Sequence, residues 1–115
     1  MAGRKTAMNA AQALKARKRM SSHNTTVMID DQGHAHMLLF GNRIAVYTAD
    51  DRLFITTAGW DTMTTRSRLS EIGGFRLSRR GGTLSLNATP WTGKWTEVVE
   101  AGPVTMINYN EPPIQ

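Results

Sequence analysis

The chain has 115 residues, a formal charge of +5 and no cysteine. That length fits one domain with a single modest core, and the missing cysteine excludes a disulfide framework, a thiolate zinc site and a cysteine nucleophile. No apolar run approaches the roughly 20 residues of a membrane-spanning helix, so no membrane is expected.

The charge is unevenly placed. Arg4, Lys5, Lys15, Arg17, Lys18 and Arg19 give residues 1–24 six positive charges and no acid, while residues 25–115 hold eight basic and nine acidic groups. The first 24 residues therefore read as a basic N-terminal arm. It is rich in Ala, Lys and Arg, with Thr6 as a cap for a segment ending near Met20. Met8, Ala11 and Leu14 form a stripe too thin to dock a helix firmly, and an isolated helix of that length is marginal in water. The arm is expected to be helical only when supported: on its own it reads as a frayed, solvated tail, and in the functional reading it orders on phosphate or on an acidic protein surface.

From Thr25 the pattern alternates. "TTVMI", "HMLLF", "RIAVYT" and "LFITTAG" are separated by "DDQG", by Gly41-Asn42 and by "ADDR", and so predict four antiparallel strands in a meander. Gly41-Asn42 is a hairpin signal of the II′ kind. Gly59 then closes the fourth strand, and Trp60 reads as a core anchor. Asp61, Thr62 and Thr64 offer oxygens to the first N–H groups of a short helix over about 62–72, which Gly73-Gly74 ends. Leu69 and Ile72 face the sheet in this reading, whereas Arg66, Arg68 and Glu71 face elsewhere. "FRLS" and "TLSLN" follow as a hairpin with Arg79-Arg80-Gly81-Gly82 at its tip, and the segment from Ala88 carries one or two more strands. The fold class is α+β, mainly an antiparallel meander with one short helix. The divisions are the arm at 1–24, one domain at 25–108 and a tail at 109–115.

The runs "LLFGNRIAVY", "LFITTAGWDTMTTRSRLSEI" and "FRLSRRGGTLSLN" with Trp95 resemble a family of small tailed-bacteriophage proteins. Those proteins pair a Gly-Asn strand turn with a Gly-Trp-x-Thr-x-Thr-Thr-x-x-Arg-Leu junction, here Gly59, Trp60, Thr62, Thr64, Thr65, Arg68 and Leu69, over roughly residues 38–99. Ser70 stands where many relatives carry Asn. The resemblance implies a phage origin and an accessory role in an infected bacterium.

Chemistry-bearing motifs are few. His34 and His36 share a strand face, but with only His23, Asp30 and Asp31 to complete a shell they are not expected to hold a metal. No phosphate-binding glycine loop, nucleophile elbow or nucleophile–base pair is present, so neither an enzyme nor a cofactor is expected. Trp91, Lys94 and Trp95 fit a base-stacking platform, although two large core plugs are the simpler reading. Arg66, Arg68, Arg76, Arg79 and Arg80 against Glu71 leave +4 over residues 66–80. Together with the arm they predict a non-enzymatic accessory protein that associates with nucleic acid in the host cytoplasm. The alternatives are a modulator that binds a host or phage protein complex, such as a polymerase or a defence complex, and a virion component.

Overall fold

A computed structural model describes residues 2–59 and 61–98, with the side chains of residues 2–4 outside the description. The Trp60 anchor, the Arg4 side chain and the 109–115 tail therefore lie outside the described residues.

Six strands form one antiparallel sheet: β1 (Met20–Ser22), β2 (Thr25–Ile29), β3 (Ala35–Leu39), β4 (Asn42–Tyr47), β5 (Leu53–Ile55) and β9 (Thr96–Val98), in that spatial order. The first five are a meander in which each strand pairs with its neighbour in sequence. The expected α+β class holds. A second antiparallel sheet contains β6 (Leu77–Arg80), β7 (Thr83–Leu86) and β8 (Thr89–Pro90). Two helices complete the element list, α1 (Ala2–Ala16) and α2 (Met63–Ile72).

The expected arm is the main difference. Instead of waiting for a partner, α1 packs on α2 and on the face of β2 and β3, and β1 pairs with β2. Ala7, Ala10, Ala11 and Leu14 are buried at i, i+3, i+4 and i+7, while Met8, assigned to the apolar stripe from sequence, is exposed. Thr6 lies buried within the helix and is not its cap, and the helix ends at Ala16. Small side chains let α1 approach closely, so a stripe of modest hydropathy suffices for docking.

The core lies between the helices and the inward face of the large sheet. Val27, Met37, Leu39, Ala45 and Ile55 meet Leu14, Leu69 and Ile72, with Leu84, Leu86 and Trp91 joining from the C-terminal part. On the opposite face, the cross-strand row Met28, His36, Val46, Phe54 and Glu97 runs over the sheet. Trp95 packs on Val46 and Phe54 there. Between β3 and β4 the register shifts at Met37/Leu38, because β4 carries one residue more than β3 needs; Ala45 pairs with Met37 and Arg43 with Leu38.

The helix at 63–72 forms as its sequence predicts, with one change at the start. Thr62 is the cap, its Oγ1 accepting from Thr65 N–H at 3.1 Å, whereas Asp61 is engaged by arginines. Gly73 follows at φ +82°, a conformation that suits glycine. The β3–β4 turn is also reassigned. Leu39 pairs with Asn42, so Phe40 and Gly41 are its central residues, at φ +50° and +78°. Positive φ at both positions is the I′ geometry that matches strand twist, not the expected II′.

Candidate nucleic-acid interface

The helical spacing that buries Ala7, Ala10, Ala11 and Leu14 turns Lys5, Met8, Asn9, Gln12 and Lys15 to solvent. Lys5 and Lys15 are ten residues apart, about 15 Å along the axis. Lys18 and Arg19, both exposed, continue this basic strip into β1.

Arg17 does not belong to the strip. It adopts φ +53° at the end of α1 and turns back to the body. There its Nη2 donates to Thr48 O at 2.7 Å and to Asp51 Oδ1 at 2.5 Å, with the guanidinium 4.5 Å from the centre of the Tyr47 ring. The Arg17 hydrogen bond holds the Asp51 carboxyl below the ordinary carboxylate range, against the opposing effect of desolvation. Arg17 thus fastens the helix end to the β4–β5 turn.

The arginine group of residues 66–80 divides three ways. Arg66 donates to Asp61 Oδ1 at 2.6 Å and Arg79 pairs with Asp61 Oδ2, so one carboxylate holds both and brings the start of α2 to β6. Arg68 is only 4% exposed, contrary to the expectation that it faces away from the core. Its Nε donates to Thr25 Oγ1 at 2.9 Å and its Nη2 to Asn24 Oδ1 at 3.3 Å. Burial pushes the Arg68 guanidinium pKa down, since desolvation disfavours the charged form. Only Arg76 and Arg80 of the five remain exposed with no ion pair to a described residue.

The stacking platform is not formed. Trp91 and Trp95 are both buried, and Trp91 Nε1 donates to Thr96 Oγ1 at 2.9 Å, which supports the simpler core reading. The two histidines are likewise parts of turns and pairs. His34 precedes β3, and its Nδ1 accepts from Ala49 N–H at 2.9 Å; His36 Nε2 lies 2.7 Å from Asp30 Oδ2. Among the described residues no three His, Asp or Glu side chains are grouped as metal ligands, and no helix is long and apolar enough to cross a membrane.

One juxtaposition was not legible in the sequence. Thr6, His23, Asn24, Thr26, Phe40 and Arg68 come together around a cavity of about 660 Å³. The hairpin register carries the signal that would have exposed part of it, because it places the Phe40 ring at a turn position and not on a buried strand face.

The Kyanoviridae Gp96 protein family model matches residues 3–101. The chain belongs to that family. This is a phage protein family, as the resemblance of the sequence implied. Membership spans α1 as well as the sheets, so the basic helix falls within the matched region and not outside it. No curated protein and no solved structure matches the chain.

Proposed function

We propose that this Kyanoviridae Gp96 family member is a non-enzymatic accessory protein that associates with nucleic acid in the cytoplasm of the infected host. The observation that supports it is the basic strip formed by Lys5 and Lys15 on a docked helix and by Lys18 and Arg19 just after it, in a segment without any acid. A docked helix holds its cations in place before contact, which lowers the ordering cost of binding. Arg76 and Arg80 extend the candidate surface; Arg17, Arg66, Arg68 and Arg79 are withdrawn from it by pairing or burial.

The combined charge reversal Lys15→Glu, Lys18→Glu and Arg19→Glu tests this, since all three side chains are exposed. Affinity for a labelled oligonucleotide should fall steeply. The slope of log affinity against log salt should decrease by roughly 0.7–0.9 for each phosphate that the variant no longer neutralises. Unchanged affinity and slope would overturn the proposal.

A second reading, a modulator of a protein complex, is favoured by a different observation. Met28 is 52% exposed, with Leu38 half-buried on the same face of the sheet, and Phe40 is 62% exposed in the turn that follows β3. Recovery of one host or phage complex that survives nuclease treatment and is lost in Met28→Ser would decide for it.

A further inference from the structure

The outward face of the large sheet is covered on one side and open on the other. Over β4 and β5, Trp95 packs on Val46 and Phe54, and the Arg52 guanidinium lies 5.0 Å from the centre of the Phe54 ring while its Nη2 donates to Glu97 at 2.9 Å. Over β2 and β3 the face ends at Met28, which is exposed, and at half-buried Leu38.

Met28 borders two open depressions. One, of about 440 Å³, is also lined by Arg19, Ser21 and Thr26; the other, of about 540 Å³, is also lined by His36, Leu38 and Arg43. Each depression thus sets aliphatic surface beside one arginine. Arg19 and Arg43 are both exposed, and neither forms an ion pair with a described carboxylate.

Arg43 is nevertheless held in position. Its Nη1 donates to His36 Nδ1 at 3.4 Å, and its guanidinium lies 5.5 Å from the centre of the Trp95 ring. Its Nε and Nη2 bond no described residue and are left for a partner. The acid that lines the same depression, Asp30, sits across the His36 ring and already accepts from Gln32 N–H, His34 N–H and His36 Nε2. Arg19 and Arg43 together outweigh its charge.

These charges and apolar groups decide what can cover the face. A second copy of the chain on a two-fold axis would set the patch against itself and bring arginine towards arginine, which is unfavourable. Bases of a nucleic-acid strand stack on aromatic rings, whereas the centre of this patch is a thioether and a leucine. A methionine side chain is flexible and adapts to apolar groups of varied shape, which suits a surface that receives protein side chains.

We propose that this open face docks a segment of a host or phage protein in which apolar side chains are flanked by carboxylates. The apolar groups enter the depressions on either side of Met28, and the carboxylates reach Arg19 and Arg43. The inference rests on the second functional reading, a protein partner, and gives that partner's chemistry.

The experiment is an amide-detected NMR titration of the full chain with a short peptide alternating glutamate and leucine. Control peptides replace the leucines by serine or the glutamates by lysine. Saturable shifts are expected at Ser21, Thr26, Met28, Leu38 and Arg43, with the glutamate-leucine peptide bound most tightly. Met28→Ser and Arg43→Gln should each weaken that binding by about fivefold or more. Both side chains are exposed, so each variant should keep the thermal midpoint of the parent. The pair Lys15→Glu and Lys18→Glu, which spares Arg19, should bind the peptide like the parent, so this face and the α1 strip can fail separately.

The proposal is overturned if no saturable shift appears at millimolar peptide, if the lysine-leucine peptide binds as tightly, or if Arg43→Gln leaves the affinity unchanged. Recovery of a nuclease-resistant complex that depends on Met28 would still uphold the protein-partner reading after any of those results. Tighter binding of oligothymidylate at the same amides would overturn it in favour of a nucleic-acid strand. Shifts of these amides with protein concentration alone would overturn it in favour of a second copy.

Discussion

Asp30 ends β2 and organises the turn to β3 with one side chain. Its Oδ1 accepts from Gln32 N–H at 2.9 Å and His34 N–H at 3.0 Å, while Oδ2 meets His36 Nε2 at 2.7 Å. Burial works against the charged form, but the bond to His36 and the two backbone donors outweigh it and hold the carboxyl down to about 2, from an ordinary 3.8. A depressed carboxylate stabilises the fold above its unfolded pKa, and that stability is lost as pH falls through the folded value. Thermal unfolding from pH 5 down to pH 2 should therefore show a loss of stability between about pH 4 and pH 2. Asp30→Asn should flatten that loss without abolishing it, since Asp50 and Asp51 are also held low. An acid limb identical in the variant and the parent would remove Asp30 from this role. The sequence placed Asp30 correctly in a turn; its bond to His36 depends on the hairpin register, which composition does not reveal.

Gly93 makes the second residue-scale case. Its carbonyl accepts from Thr57 N–H at 2.9 Å and Thr56 Oγ1 at 2.6 Å, which ties the loop before β9 to the end of β5. It stands at φ +86°, and a Cβ there would collide with the Thr57 Oγ1. Gly93→Ala should cost about 1–3 kcal/mol, combining left-handed strain with displacement of Thr57. Denaturant titration measures it, and a cost below a few tenths of a kcal/mol would mean the loop relaxes freely.

At the scale of elements, the meander and α2 were legible, and α1 was not. Strands 25–29, 35–39, 42–47 and 53–55 announce themselves because alternation and turn residues coincide, and the 63–72 helix because Thr62 and Gly73 bracket it. In α1 the buried face is made of Ala7, Ala10, Ala11 and Leu14, whose small side chains give little hydropathy contrast with Met8 on the exposed side. What decides docking is a complementary surface on α2, β2 and β3, and that exists only in three dimensions. Leu14, fully buried, is the largest side chain in that contact face. Leu14→Ala should cost about 2–5 kcal/mol by equilibrium unfolding, enough to consume much of a small domain's stability. A loss under 1 kcal/mol would mean that α1 is only loosely seated.

For the whole molecule, the position of the charge depends on packing. The sequence assigned eleven basic residues to phosphate binding as one set. The fold separates them, because ion pairing and burial consume Arg17, Arg66, Arg68 and Arg79, while helix geometry keeps Lys5 and Lys15 outward and Lys18 and Arg19 stay exposed beyond the helix end. Removing residues 1–19 is consequently a stability experiment and not a binding experiment. That truncation deletes the docked helix and uncovers Val27, Met37, Leu69 and Ile72, so it should lower the thermal midpoint sharply and increase binding of a hydrophobic dye. A truncated chain that melts like the parent would return residues 1–19 to the status of an appendage.

The docking of α1 against α2 also sets an order of events in time. Strands β1 to β5 meet neighbours in sequence, so their contacts close short loops and form early. Part of the cover for α1 comes from β2 and β3, but its largest single partner is α2, past the midpoint of the chain, and the strip of alanines is not fully covered until that helix exists. Seating of α1 is then a late step, after the rate-limiting barrier. Rapid-mixing kinetics would register this in Leu14→Ala as faster unfolding with a nearly unchanged refolding rate. A refolding rate slowed by the whole stability loss would instead place the helix pair in the nucleus. With late seating, the basic helix is made before the strands and before α2 and is fixed after them, so a growing chain carries this cationic segment loose while they are synthesised.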